Sequence, residues 1–274
     1  MSPGLMYSIL VPVDFTPKSV WALSLAANLA RKNEGIVHLL HVIDSFTNPG
    51  KNEIENARHR LFVFAQQYQN DFQVSVIPNV ETGNIFTTIG EMSARLGVKM
   101  IVMGTVGLKG IQRITGSFTL RIISGSKIPV LLLHKNPEEE IIRNIVIPFD
   151  LNLPMGSIVN NAINTGFLSQ CKIYIYGILQ EKTFFYKRKI HIALREIIQR
   201  LEDAGLAYSI DLVQNKYQDK TDAILKYSNR LGSAAIVFSV LKGIDGNKGH
   251  IPELASSLIS HSGFPLMGLN PLKQ

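Results

Sequence analysis

Residues 100–133 read MIVMGTVGLKGIQRITGSFTLRIISGSKIPVLLL, and the order of residue types along them decides the fold. An apolar run ends at Gly104, a glycine-spaced loop carries Gly107, and Gly116-Ser117 opens a short amphipathic segment that leads through Pro129 into a second apolar run. Strand, loop, helix and strand in that order make one β-α-β unit. Glycines and bare backbone amides between a strand and a helix start are also what a phosphate group requires. Gly104 and Gly107 can adopt positive φ, Gly116 admits a close ligand, and Ser117 offers a hydroxyl. Two standard phosphate motifs are excluded. Walker A needs a Lys where Ser117 stands, and the dinucleotide fingerprint needs its glycines at the first strand of a domain, not late in it.

Outward from this stretch, the chain repeats itself. Asp14 in Val11-Pro12-Val13-Asp14 recurs 136 residues on as Asp150 in Ile147-Pro148-Phe149-Asp150. Leu96-Gly97 recurs as Leu231-Gly232, and Ile128-Pro129-Val130 as Phe264-Pro265-Leu266. Three landmarks in one order at nearly one spacing describe a tandem duplication. With 274 residues, 46% of them hydrophobic, the chain can bury two ordinary cores. The expected domains are residues 1–137 and 141–274, joined through the polar run 134–140.

Within each half, apolar runs alternate with longer amphipathic segments, which predicts an α/β fold: two tandem doubly wound domains, each a five-stranded parallel sheet with helices on both faces. Strands are expected over 7–13, 36–43, 73–80, 99–104 and 130–134, and again over 145–149, 172–179, 208–212, 234–238 and 265–269. Helix periodicity over 17–31 puts Trp21, Leu25 and Leu29 on one face; over 53–68 it groups Ala57, Leu61 and Phe64; over 84–96 it turns Ile85, Ile89 and Met92 inward.

The first 134 residues resemble the universal stress protein family. The likeness is carried by the opening strand ILVPVDFT (9–16), the second strand HLLHVID (38–44), the glycine loop closed by Gly116-Ser117, and Pro129-Val130. In the nucleotide-binding branch of that family the loop reads G-x2-G-x9-G followed by Ser or Thr; here eight residues, 108–115, separate Gly107 from Gly116. The resemblance implies the strand order 3-2-1-4-5, a regulatory role in the stress response, and ATP or another adenine nucleotide, alone or with Mg2+, bound in the amino-terminal half. It assigns Pro12, Val13 and Asp14 to the adenosine end, Val42 to the adenine edge, and Gly104, Gly107, Gly116, Ser117 and Phe118 to ribose and phosphate contacts. It also implies an internal pseudo-dimer through the last strand of each half, with room for a homodimer of the whole chain. In a sheet of that order the ligand crevice lies beyond the carboxyl ends of strands 1 and 4, which are Asp14 and Gly104. Lys109 and Arg113 would add positive charge over a phosphate tail. Other readings stay open: Asp14 as a cap for the helix beginning near Pro17, and the glycine loop as an ordinary tight turn. The chain would then be a nucleotide-free protein-interaction module of the same fold.

The second half differs at the matching positions. Gly104 maps to Ser239, Gly107 to Lys242, Gly116 to Pro252 and Ser117 to Glu253. Proline removes a backbone donor and Glu253 places a carboxylate at the helix start, so the nucleotide site is expected to be lost there. Asp150 survives, and Gly243, Gly246 and Gly249 fill the loop.

Other function classes find little support. The seven His residues are scattered, and no Cys/His cluster has zinc spacing. His38 and His41 should point to opposite faces of one strand, as satisfied core or edge residues. Without a general base or a pair of metal-binding carboxylates near the loop, hydrolysis of ATP would at most be slow. The single Cys171 permits no internal disulfide, no stretch has the length of a membrane span, and the chain runs almost directly into its first strand, so the cytoplasm is the expected compartment. The charge of +7 raises the question of nucleic acid, with Lys182, Lys187, Arg188 and Lys189 around Phe184, Phe185 and Tyr186. The simpler reading makes those aromatics the buried side of a long helix and the basic residues its solvated side. The expected partner is therefore a small nucleotide, with neither nucleic acid nor membrane.

Overall fold

Ile9, Leu10 and Val11 of β1 (Ser8–Pro12) are all fully buried. Successive strand residues point to opposite faces, so a run of this kind requires layers on both sides of the sheet. The computed structural model describes residues 6–104, 116–136, 142–179, 183–214, 219–232, 234–240 and 253–271. The chain divides into two compact units, Met1–Pro137 and Glu138–Gln274.

In the first unit, β1 is followed by α1 (Pro17–Lys32), β2 (Ile36–Asp44), α2 (Lys51–Phe72), β3 (Ser75–Gly83), α3 (Ile85–Leu96), β4 (Met100–Gly104), α4 (Gly116–Gly125) and β5 (Val130–Leu133). All neighbours are parallel and the order is β3-β2-β1-β4-β5. Leu10 sits beside His38 on one side and Ile101 on the other, which fixes β1 at the centre. The second unit runs β6 (Asn144–Phe149), α5 (Met155–Asn164), β7 (Lys172–Leu179), α6 (Phe184–Asp203), β8 (Tyr208–Gln214), α7 (Lys220–Leu231), β9 (Ala234–Ser239), α8 (Glu253–His261) and β10 (Leu266–Leu269). Its order, β10-β9-β6-β7-β8, is the same arrangement. Each unit is therefore the doubly wound α/β sheet that the sequence pattern predicts, with the order that the resemblance implies.

Helix boundaries follow local chemistry. Asn84 caps α3 by accepting a hydrogen bond from the Phe86 amide at 3.0 Å, and Gly97, at a φ of 62°, ends it. Asp219 caps α7 in the same way, accepting from the Asp222 amide at 3.0 Å. Thr183 starts α6 as its cap.

Two helix faces differ from the pattern reading. The face of α1 that meets the sheet is made of Ala22, Leu23, Ala26, Ala27 and Ala30, while Trp21, Leu25 and Leu29 are only partly covered. Small residues let the helix lie close to the strands. In α6 the inward residues are Ile190, Ile197 and Leu201, and Phe184 and Phe185 are 74% and 75% exposed. The aromatics stand five and six residues before Ile190, which at 3.6 residues per turn puts them on the far side of the helix. They are not the buried face expected of them. Among the described residues, no helix is long and apolar enough to cross a membrane.

Candidate functional site

A cleft opens beyond the carboxyl ends of β1 and β4, where the strand order reverses, and encloses about 70 Å3. Pro12, Val13, Asp14, Val42, Gly104 and Phe118 all line it. Gly107 lies outside the described residues, as do Lys109 and Arg113. Gly116 and Ser117 begin α4, two residues and one residue before Phe118.

Asp14 organises the entry to α1. Its Oδ1 accepts from the Thr16 amide at 3.0 Å, the Thr16 hydroxyl at 2.6 Å and the Ser19 hydroxyl at 2.8 Å. The capping role and a ligand role are compatible, because Oδ2 has no protein partner among the described residues. One carboxylate oxygen thus holds the turn, and the other remains an acceptor at the cleft.

Gly104 is required for space and not for its backbone angle. Its φ is outside the left-handed region, but a Cβ there would stand 2.7 Å from the Lys18 Cβ and 3.0 Å from the Lys18 carbonyl oxygen. The close approach of α1 to the end of β4 places Lys18 in the cleft wall, where sequence reasoning did not look for a cation. Lys18 is near enough to His134, just after β5, to help lower its pKa: burial first, and then the Lys18 charge, pushes that imidazole down to about 4.

His41 also lines the cleft. Its Nδ1 is 2.8 Å from the Val13 carbonyl oxygen, whose own amide donates to Leu40 at 2.8 Å. A carbonyl only accepts, so Nδ1 carries the proton, and in the neutral ring Nε2 is left as an acceptor. The ring also packs on Phe15 at 5.0 Å, which meets Phe64 edge-on at 5.5 Å and carries the Arg60 guanidinium 3.9 Å above its centroid. Phe15 sits at a φ of 61°, an uncommon conformation for a bulky residue, directly after Asp14. His38, three residues before His41, is buried elsewhere; its Nδ1 has no hydrogen-bond partner among the described residues, contrary to the expectation of a satisfied ring, and burial lowers its pKa. On the opposite wall, Ile85 and Ile89 of α3 and the buried Phe118 complete an apolar surface, with Phe118 against Phe86 at 4.7 Å. His41, Lys18 and Thr16 were missed in the sequence because their roles arise from register and close packing, which no motif records.

Chemically, the cleft offers an apolar slot for a flat group, a carboxylate oxygen and an imidazole acceptor for amino or hydroxyl donors, and a lysine beside the start of the glycine loop. Among the described residues no group of three His, Cys, Asp or Glu could hold a metal ion.

Residues 6–134 match the family model for the universal stress protein family. The amino-terminal unit belongs to the universal stress protein family. It is 28% identical over 138 residues to a protein of Staphylococcus haemolyticus that carries the universal stress protein name, spanning 46% of this chain and 83% of that one. It is 26% identical over 152 residues to a universal stress protein of Methanocaldococcus jannaschii, spanning 50% of this chain and 86% of the relative. A solved universal stress protein from Archaeoglobus fulgidus superposes with a TM-score of 0.71 over 96% of this chain and 98% of its own, at 15% identity. That likeness extends the universal stress protein fold, and the fold alone, across both units.

Proposed function

We propose that the amino-terminal unit binds ATP or a related adenine nucleotide in the cleft at Asp14, and that the chain acts as a cytoplasmic stress-response regulator through bound nucleotide and protein partners. The supporting observation is the divided role of Asp14: one oxygen is consumed by three bonds within the turn, the other has no partner among the described residues, and Asp14 lines a cleft with Val42, Gly104 and Phe118. In this reading the base lies against Val42, Ile85 and Ile89, the Asp14 Oδ2 accepts from a ribose hydroxyl, and the phosphates lie toward the start of α4 and the Lys18 ammonium. The amides between Gly104 and Gly116 are the proposed phosphate donors, with Gly107, Gly116 and Ser117 as contacts. Mg2+, where present, would be carried by the nucleotide's own phosphates.

Isothermal titration of ATP into the wild type and Gly116→Asp tests this. Binding lost in the variant, whose carboxylate would repel phosphate at a helix start, agrees with the proposal, and equal affinity refutes it. One observation favours a second reading, a nucleotide-free interaction module: the enclosed 70 Å3 is well below the roughly 300 Å3 at which ligand pockets begin. Mass spectrometry of small molecules released from freshly purified protein separates the two, since only the first predicts an adenine nucleotide in the supernatant.

A further inference from the structure

The second unit has a cleft at the equivalent place, beyond the ends of β6 and β9, and it encloses about 120 Å3. Its chemistry is different. Asp150 is paired differently from Asp14: Oδ1 accepts from the Asn152 amide at 2.9 Å and from Asn152 Nδ2 at 3.0 Å, and Oδ2 forms an ion pair with Lys220 Nζ at 3.6 Å. Its second oxygen faces a lysine, whereas Asp14 Oδ2 has no protein partner among the described residues. Glu253 stands in the first turn of α8, where a helix start would otherwise favour a phosphate.

Most of the described lining is apolar, and one buried hydroxyl in it is unpaired among the described residues. Ile158, Ile178, Ile224, Val237 and Leu254 contribute its walls. Tyr176 forms a flat panel, stacked on Tyr227 at 4.2 Å and 15°, and Tyr227 is in turn held by its hydroxyl to Asp211. Ser239 also lines the cleft; it is 6% exposed, and its Oγ has no hydrogen-bond partner among the described residues. Buried hydroxyls are nearly always paired, so one facing a cavity without a partner marks a place for an incoming group. Ser239 occupies the end of its strand as Gly104 does in the first unit, 135 residues earlier.

We infer that this cleft binds a small uncharged aromatic molecule with a single hydrogen-bonding group, its ring against Tyr176 and the aliphatic walls and its polar group on Ser239 Oγ. The volume suits one ring: an apolar protein cavity of about 150 Å3 accepts benzene. The inference is independent of nucleotide binding in the first unit. The two sites differ at their helix starts, where the Glu253 carboxylate in the first turn of α8 disfavours a phosphorylated ligand.

The test titrates the full chain with phenol, indole and ATP, followed by saturation-transfer NMR and calorimetry. Three forms are compared: wild type, Ser239→Ala and Leu254→Trp. Leu254 is partly exposed, so the larger ring can plug the mouth without overfilling the core, and thermal melts confirm that both variants fold. Phenol or indole should bind the wild type and bind Ser239→Ala about three- to tenfold more weakly, the range for one lost hydrogen bond. Neither should bind Leu254→Trp, and saturating ATP should not compete. Absence of binding by both probes up to millimolar concentration, as when a water alone satisfies Ser239, overturns the inference. So does binding that survives in Leu254→Trp, or displacement by ATP.

Discussion

Asp14→Asn and Asp14→Ala separate the two roles of one side chain. Asparagine keeps an acceptor at the Oδ1 position, so the bonds from the Thr16 amide, the Thr16 hydroxyl and the Ser19 hydroxyl survive in weaker, uncharged form. Alanine removes all three. A hydrogen bond to a charged group contributes about 1.5–3 kcal/mol, and three that share an oxygen add less than their sum, so Asp14→Ala should cost about 2–4 kcal/mol and Asp14→Asn about 1 kcal/mol. Unfolding entropy for a unit of this size is about 0.3 kcal/mol per kelvin, which converts to melting shifts of about 7–13 °C and about 3 °C. Affinity for ATP should follow another order. Asparagine replaces the open Oδ2 acceptor with an amide donor that cannot accept from a ribose hydroxyl, so binding should weaken about 10- to 100-fold in the variant that folds nearly normally. Thermal melts and calorimetry on the full chain read both quantities. An Asp14→Asn protein that binds ATP within twofold of wild type, or that melts as low as Asp14→Ala, would refute the division of labour between the two oxygens.

Gly104→Ala should destabilise the chain by about 1–3 kcal/mol in a denaturant melt, because the new methyl meets Lys18 backbone and Cβ at 3.0 and 2.7 Å. His134 gives a pH signature: its pKa falls from the ordinary 6.5 to about 4 in the folded chain. The unfolded chain therefore binds the extra proton between those values, so this contribution is complete above about pH 6.5 and is lost as pH drops toward 4. The loss is on the order of 2 kcal/mol after allowing for partial exposure, and His134→Gln should flatten the stability profile across that interval. Phe184→Ser and Phe185→Ser should each change stability by less than about 0.5 kcal/mol, as expected of exposed positions; a larger loss by denaturant titration would mean that the α6 aromatics are packed after all.

The architecture was legible because it depends on patterns that local sequence carries. Apolar runs such as 100–104 and 130–133 need cover on both faces, and the spacing between Asp14 and Asp150 reveals the duplication. The six cleft residues Pro12, Val13, Asp14, Val42, Gly104 and Phe118 were legible by family likeness, and the sheet brings them together. Less was legible where the outcome depends on which side of a helix wins. The alanine face of α1 prevails over its large residues because a close helix gains more contact from small side chains, and periodicity alone weighs Trp21 more heavily than Ala22. In α6, composition suggested a buried aromatic start, whereas Ile190, Ile197 and Leu201 set the inward direction. Hydrogen bonds that depend on register, such as that between His41 and the Val13 carbonyl, have no signature in a single sequence.

Phe15 gives the cleft a mechanical side. A bulky residue with a φ of 61° stores strain on the order of 1 kcal/mol or more, and here the restraining weight comes from α2, through Phe64 and the Arg60 guanidinium. The residue next to Asp14 is thus braced partly from outside the pocket, by a helix with no residue in the described cleft lining. A displacement of α2 would strip those two contacts from Phe15, leaving His41 and the Thr16 and Ser19 bonds to hold the turn.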